Sequence, residues 1–157
     1  VTYPVFTAIA APEVQNKLNG DFAIIAGPYL QNLATGGCEL DYTLTFVSEK
    51  FISMVFFGVL DEGEKEIFAK IPLNIDVQTG AQLALGDVLN LRDADLLPVL
   101  RLLTKKDKVD FSKGITESWY YNGTNFVFCQ RSETGEWLEA TVAASDLKKF
   151  LLKPELF

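Results

Sequence analysis

Apolar and polar residues alternate along several stretches of this chain, and recur at helical spacing in two others. From Lys70 the sequence reads KIPLNIDVQTGAQLALGDVLN. It sets Ile71, Leu73, Ile75 and Val77 on one side and Pro72, Asn74, Asp76 and Gln78 on the other. A period of two means a strand with one buried face. Thr79-Gly80 supplies a turn needing positive φ, which glycine adopts without steric cost. Leu83 and Leu85 make a short apolar return, and Gly86-Asp87 caps a helical turn through Val88 and Leu89. A phosphate-binding loop would need more glycines or a terminal Lys-Ser/Thr, and neither is present.

Upstream, Val1 to Ala8 reads as a first strand, with Pro4 marking an edge or a strand start. Pro12 opens a helix whose stripe is Val14, Leu18, Phe22, Ile25, Tyr29 and Leu33. Gly27-Pro28 is expected to stop or kink it, because proline lacks an amide and clashes with the preceding turn. A strand follows from Cys38 to Val47, with Cys38, Leu40, Tyr42, Leu44 and Phe46 on one face. Phe51 to Leu60 is apolar on both faces and belongs in the centre of the sheet. An acidic loop separates it from the strand Ile67 to Val77.

Downstream, Asp93 or Asp95 caps a second helix from Leu96 to about Lys106, with Leu96, Leu100 and Leu103 as its stripe. Trp119 to Arg131 forms a hairpin turning at Asn122-Gly123. Trp137 to Ala143 is a last strand, and Ser145 caps a short helix from Asp146 to Leu151. The fold class is therefore α+β. An antiparallel sheet carries one long N-terminal helix across it, with a second helix in the C-terminal half.

The chain has 157 residues, 48% of them hydrophobic, enough to fold as a single domain over residues 1–157. No apolar run reaches the length of a membrane span. The opening on Val1, in strand-like sequence, points to a trimmed or processed chain, so any targeting segment lies outside it. A net charge of −7 argues against nucleic acid and against contact with an anionic membrane. It is compatible with a basic partner, although many soluble proteins are this acidic for solubility alone.

Histidine is absent, which removes the commonest general base and most catalytic zinc sites. No metal or cofactor motif is present. Cys38 and Cys129 are 91 positions apart, so either they form a disulfide or both are buried free thiols. Two candidate binding features remain. Asp61, Glu62, Glu64 and Glu66 gather acidic charge on a hairpin tip. Trp119, Tyr120 and Tyr121 alternate between faces, so at least one ring is a candidate to stack on a sugar or anchor a partner.

Several stretches carry a family resemblance: YPVFTAIAAPEVQNKLNGDF, FISMVFFGVLDEGEK, IPLNIDVQTGAQLALGDVLN and the closing WLEATVAASDLKKFL. The third resembles the motif nFDLkTGkeLtLkDLF, with Asp76, Thr79, Gly80, Leu83, Leu85, Asp87 and Val88-Leu89 in place. The family is the extracytoplasmic domain of RsiV-type anti-sigma factors, found also beside PdaC-type peptidoglycan deacetylases. The resemblance implies a cell-envelope location in a Gram-positive-type bacterium, behind an N-terminal signal peptide or membrane anchor, and binding or sensing rather than catalysis. One member type recognises lysozyme, a basic protein, and a cell-wall glycan is the other partner implied. Members often carry Gly-Gly-Ala-His where this chain has Asp61-Glu62-Gly63-Glu64-Lys65-Glu66, so lysozyme binding does not transfer residue by residue. The alternative is an accessory domain of a cell-wall enzyme, or a small hydrolase using a carboxylate pair.

Overall fold

The computed structural model describes residues 1–7, 9, 11–32, 37–61 and 66–157, with backbone alone at Asn32 and Asp61. Helix α1 (Pro12–Asn32) leads into strands β1 (Cys38–Val47), β2 (Phe51–Asp61) and β3 (Glu66–Asp76). A two-residue strand β4 (Ala81–Gln82) and helices α2 (Leu85–Val88) and α3 (Leu96–Leu103) follow. Strands β5 (Trp119–Tyr121), β6 (Asn125–Arg131) and β7 (Trp137–Ala143) make a second sheet, and 3-10 turns at Ala144–Phe150 and Pro154–Leu156 close the chain. Both sheets are antiparallel, in the orders β1-β2-β3-β4 and β5-β6-β7. This is the α+β class expected, with α1 across the larger sheet and α3 in the C-terminal half. No helix among the described residues is long and apolar enough to cross a membrane.

Strand β2 is central because both of its faces are used. Ile52, Met54 and Phe56 meet Val14, Leu18, Phe22 and Tyr29 of α1 in one core. Gly58 lies on that face, and a β-carbon there would overlap the Tyr29 ring and hydroxyl, so the helix seats directly on glycine. Phe51 points the other way, into a second core with Trp119, Tyr121, Phe126, Leu96 and Phe150.

The second sheet meets the first by the edge of β5, the strand that contacts β1, β2 and β3. Two side chains standing on the first sheet satisfy that edge. Asn74 Nδ2 donates to the Trp119 carbonyl (2.7 Å), and the Tyr121 amide donates to Ser53 Oγ (2.8 Å). Ser53 in turn donates to Asn74 Oδ1 (2.7 Å). Asn74 sits on the side of β3 that period two assigns to water, yet it is buried, because β5 covers it.

Other expectations are corrected. The described part of Val1–Ala8 contains no strand; Thr2 makes one ladder-like bond, its amide donating to the Leu40 carbonyl (2.7 Å). Helix α1 runs through Pro28 to Asn32. The carbonyl deprived of its helical partner is that of Ile24, whose side chain is on the solvent side, where water can replace the bond. In β1 a register shift between Leu44 and Phe46 makes Thr45 the extra residue. Phe46 therefore turns away from α1 and packs on Phe51 and Tyr121, leaving Leu44 exposed. The α2 turn starts at Leu85, ahead of the expected Gly86-Asp87 cap, with Asp87 reaching back to accept from the Ala84 amide (2.8 Å). Helix α3 ends at Leu103; Asp95, one of the two expected, is its N-cap residue, though its side chain makes no capping bond, and Asp93 Oδ1 accepts from the Asp95 amide. The last helix is a 3-10 turn starting at Ala144.

Candidate functional site

Docking of β5 divides the outer face of the larger sheet. One part is buried beneath the second core, and the other is open. On the open part Phe57 pairs in register with Asp41 on one side and Lys70 on the other, and Val59 pairs with Glu39 and Phe68. Cross-strand partners share a face, so these six side chains form one surface. It makes an open groove of about 620 Å³ across the three strands, lined also by Trp137 of β7 and by Val1 and Thr2. A second depression of about 740 Å³ lies beyond, again lined by Phe68 and Trp137, together with Lys108, Glu136 and Glu139. Phe57 is 45% exposed and Phe68 is 52% exposed. Scattered exposed apolar residues are ordinary, but two neighbouring phenylalanines on adjacent strands beside a tryptophan are a patch.

At Lys70 the groove adjoins a charged cluster. Lys70 pairs with Glu139 across the two sheets. The Lys70 ammonium also lies 5.6 Å from the Phe57 ring centre and 5.4 Å from that of Tyr120. Tyr120 Oη donates to Glu139 Oε1 (2.9 Å), and Trp137 Nε1 donates to the Phe68 carbonyl (3.4 Å). Burial, and then the Glu139 carboxylate, push the Tyr120 phenol up. Burial pushes the Cys129 thiol up to about 12, outweighing the pull of Lys70. A fully buried neutral thiol is a poor nucleophile at neutral pH. Among the described residues, no three His, Cys, Asp or Glu side chains converge to hold a metal ion.

The sequence candidates fall in different places. Trp119 and Tyr121 are core residues, stacked among Phe51, Phe126 and Phe157, and are not available to a partner. Tyr120 points the other way, to the Lys70–Glu139 pair beside the groove. Glu66 is exposed two residues before Phe68, hence on the groove side of β3, and Asp61 pairs with it in register. Glu62 and Glu64 lie outside the described residues. Cys38 and Cys129 are free thiols rather than a disulfide. They belong to different sheets, and Cys38 Sγ donates to the Tyr29 carbonyl (2.8 Å).

Phe57, Phe68, Trp137, Lys70 and Glu139 were not legible as a site. Phe57 is hidden in an apolar run that reads as core throughout. Lys70 and Glu139 are 69 positions apart. The one local signal was Phe68-Ala69-Lys70, which puts a ring and a cation on the same strand face.

No family model matches the chain, and no curated protein matches it in sequence. Solved structures do. A DUF3298 family protein from Pseudomonas aeruginosa PAO1 superposes with a TM-score of 0.64 at 14% identity, over 92% of this chain and 83% of that one. The fold is shared with DUF3298 proteins. A second member of DUF3298, from Bacteroides fragilis NCTC 9343, gives a TM-score of 0.56 at 14% identity, over 89% of this chain and 66% of that one. DUF3298 denotes a domain of unknown function, so these neighbours establish architecture and leave the groove's role to be argued from its chemistry.

Proposed function

We propose that the chain is a non-catalytic binding module of the cell envelope, and that the groove on the open face of its larger sheet takes a basic protein partner. The exposed pair Phe57 and Phe68 beside Trp137 carries this reading. Paired strands hold the backbone of Phe57 and Phe68, so little backbone freedom remains to be lost when a partner covers their rings. Glu39, Asp41 and Glu66 add negative charge on the same face. The location rests on the resemblance to the extracytoplasmic domain of RsiV-type anti-sigma factors and PdaC-type deacetylases. A protein such as lysozyme is the first partner to try, with cell-wall glycan as the competing ligand.

The test is binding of lysozyme, and separately of peptidoglycan fragments, to the wild-type chain and to Phe68→Ser. The variant should melt as the wild type does and bind lysozyme at least about tenfold more weakly. Equal binding by the two proteins would move the site away from the groove. Turnover of cell-wall glycan that one carboxylate substitution abolishes would overturn the non-catalytic reading in favour of a carboxylate-dependent hydrolase.

A further inference from the structure

The groove carries its own example of a bound cation. The Lys70 ammonium sits against the Phe57 and Tyr120 rings with Glu139 as its counter-ion. Further out, the same ingredients recur. Phe57 and Phe68 offer exposed rings, Trp137 lines the same groove, and Glu39 and Asp41 stand on β1 opposite Val59 and Phe57. Among the described residues lining this depression, Lys70 is the one cationic side chain, and Glu139 already pairs with it. The carboxylates of Glu39 and Asp41 therefore share this face with the exposed rings and, among the described residues, have no side-chain cation paired to them.

The sheet edges beside the groove are guarded. Leu83 N donates to the Asn74 carbonyl and Trp137 Nε1 to the Phe68 carbonyl, so alternate residues of β3 turn their backbone outward. Pro72 falls in that set and has no amide to offer. On β1 the Tyr42 amide donates to Asp41 Oδ1, and the Leu40 carbonyl accepts from Thr2. Strand addition is thus blunted on both sides. The groove reads side chains.

From these contacts we infer that the groove recognises an arginine side chain on a polypeptide segment, an inference that rests on the binding-module reading above. A guanidinium is planar and weakly hydrated. It stacks on aromatic faces and donates in a fork that a carboxylate accepts. A lysine ammonium offers a compact, strongly hydrated charge and no plane to stack.

The experiment follows the indole N–H resonance of Trp137 in the full chain, with buried Trp119 as internal control. Three blocked pentapeptides, Gly-Val-Xaa-Val-Gly with Xaa as arginine, lysine or citrulline, are titrated alongside an N-acetylglucosamine trisaccharide. The arginine peptide should shift Trp137, and the citrulline peptide should bind at least about tenfold more weakly, since it keeps the shape and loses the charge. The lysine peptide should fall between them. Glu39→Gln with Asp41→Asn should erase the preference for arginine, while the carboxamide introduced on β1 keeps an oxygen for the Tyr42 amide. Equal shifts from the arginine and citrulline peptides would overturn the guanidinium inference and leave the groove as a binding surface. The same holds for shifts from the trisaccharide with none from the arginine peptide. A Trp137 resonance that moves with none of the four probes would overturn the inference and the groove reading together.

Discussion

Asn74 joins the two sheets with a single carboxamide, accepting from Ser53 and donating to the backbone of β5. Asn74→Ala leaves the Trp119 carbonyl and the Ser53 hydroxyl short of a partner inside the protein. It should cost about 2–3 kcal/mol, read as a lower urea midpoint with an unchanged slope. Asn74→Asp should cost more, because an ionised carboxylate cannot donate to that carbonyl. Cys129 gives a second residue-scale prediction. Its thiol titrates near 9.0 when free and near 12 when folded. A raised folded value means the neutral form stabilises the fold. That contribution is complete below pH 9 and is lost as pH climbs from there toward 12, at about 1.4 kcal/mol per pH unit. Tyr120 is shifted the same way from 10.0, so it acts at higher pH. Denaturation curves from pH 8 to 11 should show stability falling from about pH 9 in the wild type. In Cys129→Ala the fall should begin about one unit later, when the tyrosines take over. Coincident onsets would show that the thiol is not held neutral by burial. Neither role was legible in the sequence. Period two gives the faces of a strand, and Asn74 lies on its polar side, but nothing local says that another strand's edge rests there.

At the scale of elements, α1 on the larger sheet was the most legible feature, because Val14, Leu18, Phe22 and Tyr29 repeat at helical spacing and all four are buried. What the repeat does not show is the close approach at its end. Tyr29 lies on Gly58, whose missing side chain makes the space. Gly58→Ala should destabilise by about 1–3 kcal/mol through overpacking. Tyr29→Leu should recover much of that in the double variant while costing stability alone, a coupling that a double-mutant cycle measures directly. Additive effects would mean that the helix end is not fixed by this contact. The same seating explains why Pro28 does not end α1. The turn beyond it is anchored by Tyr29, and the bond that proline removes belongs to a carbonyl on the solvent side. Strand boundaries in the C-terminal half were legible too, since Asn122-Gly123 fixes the hairpin, with Gly123 at a φ of 96°. The bulge at Thr45 was not. One extra residue reverses which face Phe46 takes, and alternation alone carries no sign of it.

For the whole molecule, charge and shape act at different stages of binding. A net charge of −7 draws a basic protein from beyond contact distance and is screened within about 8 Å at physiological salt. The rings of the groove act once contact is made. Two sets of substitutions should therefore separate. Replacing Glu62, Glu64 and Glu66 by Gln should slow association with lysozyme and flatten its dependence on salt, leaving dissociation nearly unchanged. Phe68→Ser should do the reverse, speeding dissociation at every salt concentration with little effect on association. Both rates are read in one surface-binding experiment at low and moderate salt. Should the glutamine triple variant instead speed dissociation as strongly as Phe68→Ser, the hairpin tip would be part of the contact itself. Glu66, exposed two residues before Phe68 on the same face, is then the position through which the contact would extend. Should neither set alter either rate, the partner would not be using this side of the sheet, and the exposed rings of Phe57 and Phe68 would need another explanation.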